Sequence, residues 1–377
     1  MGGDVSTRAL LLYSPAGSGH RAAAHAVAHA LRTLAPDAAI EVRDVLEFAP
    51  RWFRYDRAWA ELQQRGGAAW AWFFDASDRR GAFGLDRLRL PLHRALFAAL
   101  DRHLASARPT HVVATHYLPA LAVARQRRAG LPARALTVVT DHRVHQAWIT
   151  PGVDGYCVAD LASARALARR EPGAPIAVTG IPIAPTAARP VVAVAGHVAR
   201  VRVLALLGGV PTAAATAAIA ALAPLARAAR AQLRVLTGDA PCVRAAAIAA
   251  LTGTDATVAA RVDGLDAALD AVDVVVTKAG GLVVSECLAR GRAMVLPFAA
   301  PGQERGNLEH ALAVGAAVRP REVADTGAVI GELADEPGRL RRMSTLARMA
   351  SRPDAALVVA RRLLAGDAAH AEVPRAA

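Results

Sequence analysis

Short apolar runs alternate with alanine-rich, helix-compatible segments along this chain, and they come in two sets. Residues 9–13, 40–45, 111–115 and 135–140 form the first; residues 201–207, 232–238, 256–262, 272–276 and 293–297 form the second. Apolar runs of this length, bounded by turn residues and separated by helices, predict parallel strands buried on both faces. Between 181 and 200 the pattern loosens, and Pro182, Pro185 and Pro190 mark a linker. A chain of 377 residues also exceeds what one ordinary core organises. The expectation is α/β: two doubly wound, Rossmann-like domains spanning 1–185 and 195–345. Residues 346–377 would form a closing helix that crosses back to the first domain, followed by a tail. In such sheets ligands bind at the carboxyl ends of the strands, which places the ligand in an interdomain cleft.

Composition narrows the function classes. The hydrophobic fraction is 54% while aromatics are 4%, which suits helices packed on sheets through small contacts. Net charge is +13, and of the 45 basic residues only Lys278 is lysine. Codon bias in a GC-rich genome accounts for the arginine; attraction to anionic lipid or nucleic acid is the functional account. No recognisable nucleic-acid module is present and the arginines are spread along the chain, so no nucleic-acid partner is expected. Cys157, Cys242 and Cys287 lie far apart without metal-ligand spacing, which fits a reducing compartment. Neither a signal peptide nor a spanning segment is expected, and the match of residues 1–6 to a myristoylation pattern is read as chance.

The densest chemical signal is Thr277-Lys278-Ala279-Gly280-Gly281-Leu282-Val283-Val284-Ser285-Glu286, which follows an apolar strand and opens a helix. Gly280 and Gly281 let the backbone pass close to a bound group. A helix start offers unpaired N–H groups and a positive dipole end, suited to a phosphate. Glu286, about one turn in, is placed to accept hydrogen bonds from a ribose. Gln303, Glu304 and Asn307 sit on a Pro-Gly turn entering another helix and carry groups suited to sugar hydroxyls. In the first half, Ser14-Pro15-Ala16-Gly17-Ser18-Gly19-His20 reads as a glycine loop with His20 where a helix begins. The positive helix end favours neutral imidazole, able to take a proton. Gly17 and Gly19 would allow close approach of an acceptor. Asp141 follows a strand directly; it is placed to orient His20, to act as an alternative base, or to cap a turn. His116, His145 and Trp148 are candidates for the acceptor side, with packing as the plain alternative.

Five segments occur in one order: 14–20, Thr140-Asp141-His142-Arg143-Val144-His145-Gln146-Ala147-Trp148, Gly180-Ile181-Pro182-Ile183, 277–286, and Pro301-Gly302-Gln303-Glu304-Arg305-Gly306-Asn307. Together they resemble the monogalactosyldiacylglycerol synthase and processive diacylglycerol glucosyltransferase family and, more distantly, the N-acetylglucosaminyltransferase of peptidoglycan precursor synthesis. The resemblance covers roughly residues 10–318. It implies a GT-B fold, a UDP-sugar donor in the second domain and an acceptor held mainly by the first. It assigns catalysis to His20 and Asp141. It assigns donor binding to Gly208, Gly209, Val262, Lys278, Gly280, Gly281, Glu286, Gln303, Glu304 and Asn307. Acceptor binding falls to Gly17, Gly19, His116, His145 and Trp148. No Asp-x-Asp motif appears, so no metal and no cofactor are expected; the UDP-sugar is a substrate, and backbone N–H groups would meet the diphosphate charge. One departure stands out. Where the family has a longer glycine run, this chain reads Gly208-Gly209-Val210-Pro211-Thr212; Val210 restricts the backbone and Pro211 removes a donor.

Residues 48–97 carry 11 of the 16 aromatic residues, among them Trp52, Phe53, Tyr55, Trp59, Trp70, Trp72, Phe73, Phe74 and Phe83, interleaved with arginines. Two roles fit: a face for an anionic membrane and its lipid acceptor, or a helical insertion packed on the first domain. The leading expectation is an inverting enzyme moving a hexose from a UDP-sugar to a lipid hydroxyl, diacylglycerol by default. It would act in the cytoplasm, peripherally on the inner face of the cell membrane. A small hydroxylated metabolite as acceptor, or a non-catalytic nucleotide-sugar sensor, are the competing expectations.

Overall fold

The computed structural model describes residues 7–15, 17–58, 61, 67–79, 86–184 and 200–365. The chain separates into two compact units: Met1–Glu61, Ala68–Pro185 and Arg352–Ala377 in one, Leu62–Gly67 and Thr186–Ser351 in the other. The second unit thus runs six residues past the expected boundary at 345. Pro185 and Pro190, as well as residues 1–6, lie outside the described residues.

The first unit is built on a six-stranded parallel sheet in the order β2-β1-β3-β4-β5-β6. Its strands are β1 (Arg8–Tyr13), β2 (Ala39–Asp44), β3 (His111–Ala114), β4 (Arg134–Val138), β5 (Gly155–Val158) and β6 (Ile176–Val178). Period-two alternation sends Leu11 to one face and Leu10 and Leu12 to the other. Leu11, Val113, Leu136 and Val138 pack with Val27 and Leu31 of α1 (Ser18–Leu34) and with Val359 and Leu363. Leu10, Leu12 and Val112 pack instead with Phe97, Leu100, Leu104, Leu118 and Val123. Those residues belong to the α2–α5 side of the unit: α2 (Gly67–Ser77), α3 (Asp86–Leu96), α4 (Ala98–Ala107) and α5 (Tyr117–Arg128). After β5 comes α6 (Leu161–Arg170).

The second unit repeats the plan in the order β12-β11-β10-β7-β8-β9, again all parallel. Its strands are β7 (Val201–Leu206), β8 (Ala231–Leu236), β9 (Thr257–Ala259), β10 (Val274–Lys278), β11 (Ala293–Phe298) and β12 (Ala317–Val318). Helices α7 (Thr212–Arg227), α8 (Pro241–Leu251), α12 (Thr326–Asp335) and α13 (Pro337–Ala350) cover one face. Helices α9 (Leu265–Asp270), α10 (Gly281–Ala289) and α11 (Gln303–Ala313) cover the other. The last helix, α14 (Ala355–Leu364), lies against α1 and shares its core.

Strands β5, β6 and β12 are absent from the sequence expectation because two to four residues give no usable periodicity. Helix α1 begins at Ser18, so Gly19 and His20 lie in its first turn and the glycine loop is shorter than expected. Within residues 48–97 the two readings divide by residue. Phe48, Phe53 and Tyr55 pack on the core around the fully buried Phe97, and Phe74 is buried. Trp52 and Trp72 are 73% and 66% exposed, and Leu90 and Leu92 of α3 are exposed beside charged neighbours in sequence. The side chains of Trp59, Trp70, Phe73 and Phe83 lie outside the described part of the structure.

Candidate functional site

In the first unit, chemistry gathers where β3 and β4 end against the first turn of α1. Gly17 precedes that turn with φ 88°, a conformation open to glycine and strained for other residues. His20 and Thr115 clasp each other. The His20 ring donates from Nδ1 to the Thr115 carbonyl at 2.8 Å, and the Thr115 hydroxyl donates to the His20 carbonyl at 2.9 Å. A carbonyl only accepts, so the ring proton sits on Nδ1 and the lone pair is on Nε2. The Thr140 hydroxyl, 2.9 Å from the same Nδ1, shares that proton as a second acceptor. His20 therefore has the tautomer a general base requires. Burial lowers its pKa to about 4, against the carbonyl of Thr115, which pulls it upward. The ring is neutral at pH 7.

Aromatic rings wall this base. His116 meets it edge-on at 4.7 Å and Trp148 lies 6.1 Å away. His116 is buried and caps α5, accepting from Leu118 N–H at Nδ1, and burial beside His20 holds its pKa well below the ordinary value. Behind it the hydroxyls of Tyr55 and Tyr117 hydrogen-bond at 2.9 Å. Trp148 closes a short 3-10 turn, Gln146–Trp148. His145 differs from expectation. Its Nδ1 accepts from Ala147 N–H at 3.0 Å and its Nε2 donates to the Phe74 carbonyl at 3.0 Å, so both ring nitrogens serve the backbone rather than an acceptor. Asp141, expected to orient His20, follows Thr140 and is partly buried; the contacts at Nδ1 come from Thr115 and Thr140.

In the second unit, β10 delivers the chain into α10 through Ala279 and Gly280. Among the described residues no side chain caps α10, and the first N–H bonded back is Val284, to the Gly280 carbonyl at 3.0 Å. The N–H groups of Gly281, Leu282 and Val283 stay available to an anion. Lys278, at the end of β10, donates to Glu304 at 2.6 Å, and the other Glu304 oxygen accepts from Ala300 N–H at 2.7 Å. Asn307 is fully buried and donates to the Ala279 carbonyl at 3.0 Å. Glu304 and Asn307, expected to touch sugar hydroxyls, are thus turned inward, where they shape the turn that presents α10. Gln303, the first residue of α11, is partly exposed, and its Oε1 has no hydrogen-bond partner among the described residues.

Glu286 is partly buried, and among the described residues no hydrogen bond reaches its carboxylate. Burial raises its pKa to about 7, with Arg290 pulling it down and Asp266 pushing it up. The Gly208–Gly209 turn lies beside this mouth. A Cβ on Gly238 would meet Gly208 Cα at 2.8 Å, so the two turns touch backbone to backbone; a Cβ on Gly209 would lie 3.8 Å from Lys278 Cε. Val210 is buried and Pro211 stands at the N-cap of α7, which keeps its helix despite the missing donor. Val262 packs beside the core of this face.

Residues 20–183 match the monogalactosyldiacylglycerol (MGDG) synthase family model, which starts at the candidate base. Monogalactosyldiacylglycerol synthase 2, chloroplastic, of Arabidopsis thaliana is 24% identical over 381 residues, covering 94% of this chain and 80% of that protein. The MurG crystal structure from Acinetobacter baumannii superposes with a TM-score of 0.61 at 17% identity, covering 95% and 99% of the two chains. The glycosyltransferase SnogD from Streptomyces nogalater gives 0.59 at 19%, covering 96% and 99%. The two parallel sheets and these structural relationships define the GT-B fold. In sequence the chain is similar to the monogalactosyldiacylglycerol synthases, the family its motifs resemble.

Proposed function

We propose that this enzyme is an inverting glycosyltransferase that moves a hexose from a UDP-sugar to the free hydroxyl of diacylglycerol. The observation that carries the reading is the His20 ring, fixed by the Thr115 carbonyl as the Nδ1–H tautomer within the segment that matches the MGDG synthases. Nε2 removes the acceptor proton as the oxygen attacks the anomeric carbon. The bond from that carbon to the UDP phosphate oxygen breaks, and inversion follows from attack opposite the leaving group. The diphosphate leaves onto the open N–H groups of α10, which replace a metal ion in this scheme. Glu286 accepts from the ribose, and Gln303 from a hydroxyl of the sugar.

A lipid acceptor is favoured over a small metabolite by the exposure of Trp52, Trp72, Leu90 and Leu92, large apolar groups in a stretch rich in arginine. Among the described residues no helix is long and apolar enough to cross a membrane, so the contact proposed is peripheral, at an anionic cytoplasmic surface. A panel of UDP-sugars supplied with vesicles of diacylglycerol in phosphatidylglycerol, with products read by mass spectrometry, tests the reading. A monohexosyl diacylglycerol is the expected product. Transfer confined to water-soluble acceptors would replace the lipid assignment, and donor binding without any transfer would favour a sensor.

A further inference from the structure

The aromatic helix α2 and the wall of the base are joined by one carboxylate, Asp78. Its side chain is 9% exposed and gathers three elements. It accepts from Gln146 N–H at 2.7 Å, from Arg170 on α6 at 2.6 Å, and from Arg143 at 3.1 Å. Burial pushes its pKa up, but the bonds from Arg170 and Gln146 outweigh that and hold it below the ordinary carboxylate value. One turn earlier the Phe74 carbonyl accepts from His145, the Phe74 ring lies 4.3 Å from that imidazole, and Arg143 stands 5.3 Å over the same ring. Arg143 also reaches Asp75 at 2.8 Å.

These contacts converge on the start of the 3-10 turn that ends in Trp148. Gln146 is tied down by Asp78 and Ala147 by His145, so the backbone that leads into Trp148 is held by one charge-assisted and one neutral hydrogen bond. Trp148 in turn stands 6.1 Å from both His20 and His116. Helix α2, which Asp78 follows directly, carries the exposed Trp72.

We propose that Asp78 is a positioning residue, clamping the Gln146–Trp148 turn against His20 and linking the aromatic helix to the acceptor side of the base. The inference rests on the assignment of His20 as base, but the clamp itself can be read without turnover. Asp78→Ala leaves Arg143 and Arg170 without their shared partner; Asp78→Asn keeps an oxygen for Gln146 N–H and removes the charge.

The test measures, on the full chain, amide hydrogen exchange at residues 146–148, donor affinity by UDP titration, and acceptor kinetics with diacylglycerol vesicles. In Asp78→Ala, exchange at Gln146 and Ala147 should accelerate and acceptor kcat/KM should fall about tenfold or more, since small misplacements beside a reacting centre are costly. UDP affinity should stay within about twofold, because the donor groups are unaffected. Asp78→Asn should recover part of the acceptor term. Unchanged exchange at residues 146–148 in Asp78→Ala would overturn the clamp. Equal losses of donor and acceptor terms in both variants would reduce Asp78 to a structural ion pair. If the wild type transfers no hexose, the glycosyltransfer reading falls while the exchange data still decide whether Asp78 clamps the turn.

Discussion

Lys278 Nζ lies 2.6 Å from Glu304 Oε1, and this ion pair joins the strand before the α10 mouth to the helix after the Pro-Gly turn. The only lysine of the chain is therefore committed to a buried carboxylate, which itself holds Ala300 N–H. The pair ties the end of β10 to the first turn of α11 on either side of α10.

Breaking that pair from one side should cost more than removing it. Lys278→Met strands a carboxylate that is 4% exposed and should destabilise the protein by about 3 kcal/mol, at the low end for a buried pair because the lysine is partly exposed. Adding Glu304→Gln, which still accepts from Ala300, should restore much of the loss. Denaturant titration of the single and double variants checks this; a double variant as unstable as Lys278→Met would contradict it.

His20→Ala should lower transfer by about 10²–10⁴-fold with UDP binding kept. Thr140→Val removes one acceptor from Nδ1 and leaves the Thr115 carbonyl, so about a tenfold loss is expected, the worth of one hydrogen bond. Because burial holds His20 near pKa 4, the base stays neutral throughout the neutral range. The free enzyme's acid limb assigned to it should lie near that value. Steady-state profiles of acceptor kcat/KM measure both effects, and a fully active His20→Ala variant would remove the base from the scheme.

Glu286 gives a separate pH signature. Its carboxyl is raised to about 7, so it is protonated below and ionised above that value. The ionised carboxylate is the stronger acceptor for a ribose hydroxyl, so UDP affinity should rise as pH goes from 6 to 8, and Glu286→Gln should flatten the trend. Stability has the opposite sign. With the folded pKa above the unfolded one, the favourable protonated form is lost as pH rises through about 7, so Glu286→Gln should raise Tm at pH 8 relative to wild type and leave it nearly unchanged at pH 4. Calorimetric titration and thermal melts at these pH values decide.

Trp52→Ala and Trp72→Ala should each weaken binding to anionic vesicles by about tenfold, in line with loss of a large apolar contact. UDP affinity should not change. Vesicle co-sedimentation provides the readout; retained binding in the double variant would place the lipid contact elsewhere.

Much of this architecture is legible in the amino-acid order because buried parallel strands are apolar on both faces, as residues 9–12 and 274–276 are. The α10 mouth and His20 were marked by glycine and helix-start chemistry, which are local. The partners of His20 were not: Thr115 and Thr140 lie 95 and 120 residues away, and only the β1-β3-β4 neighbourhood brings them together. Nor did polarity alone disclose the partners of Glu304, Asn307 and His145, which are Lys278, backbone amides and backbone carbonyls. A polar side chain beside a ligand motif looks like a ligand contact until its burial and backbone partners are known. Asp78 carried no signal, since nothing in an isolated aspartate foretells two arginines and a backbone amide converging on it.

Helix α14 supplies Ala356, Val359, Ala360 and Leu363 to a core whose other members begin at Ala9. The first unit is thus sewn shut by residues synthesised after the whole second unit has emerged. Until then, a ribosome-bound chain covers that face of its opening sheet with α1 alone, and the second unit is free to finish folding before the first.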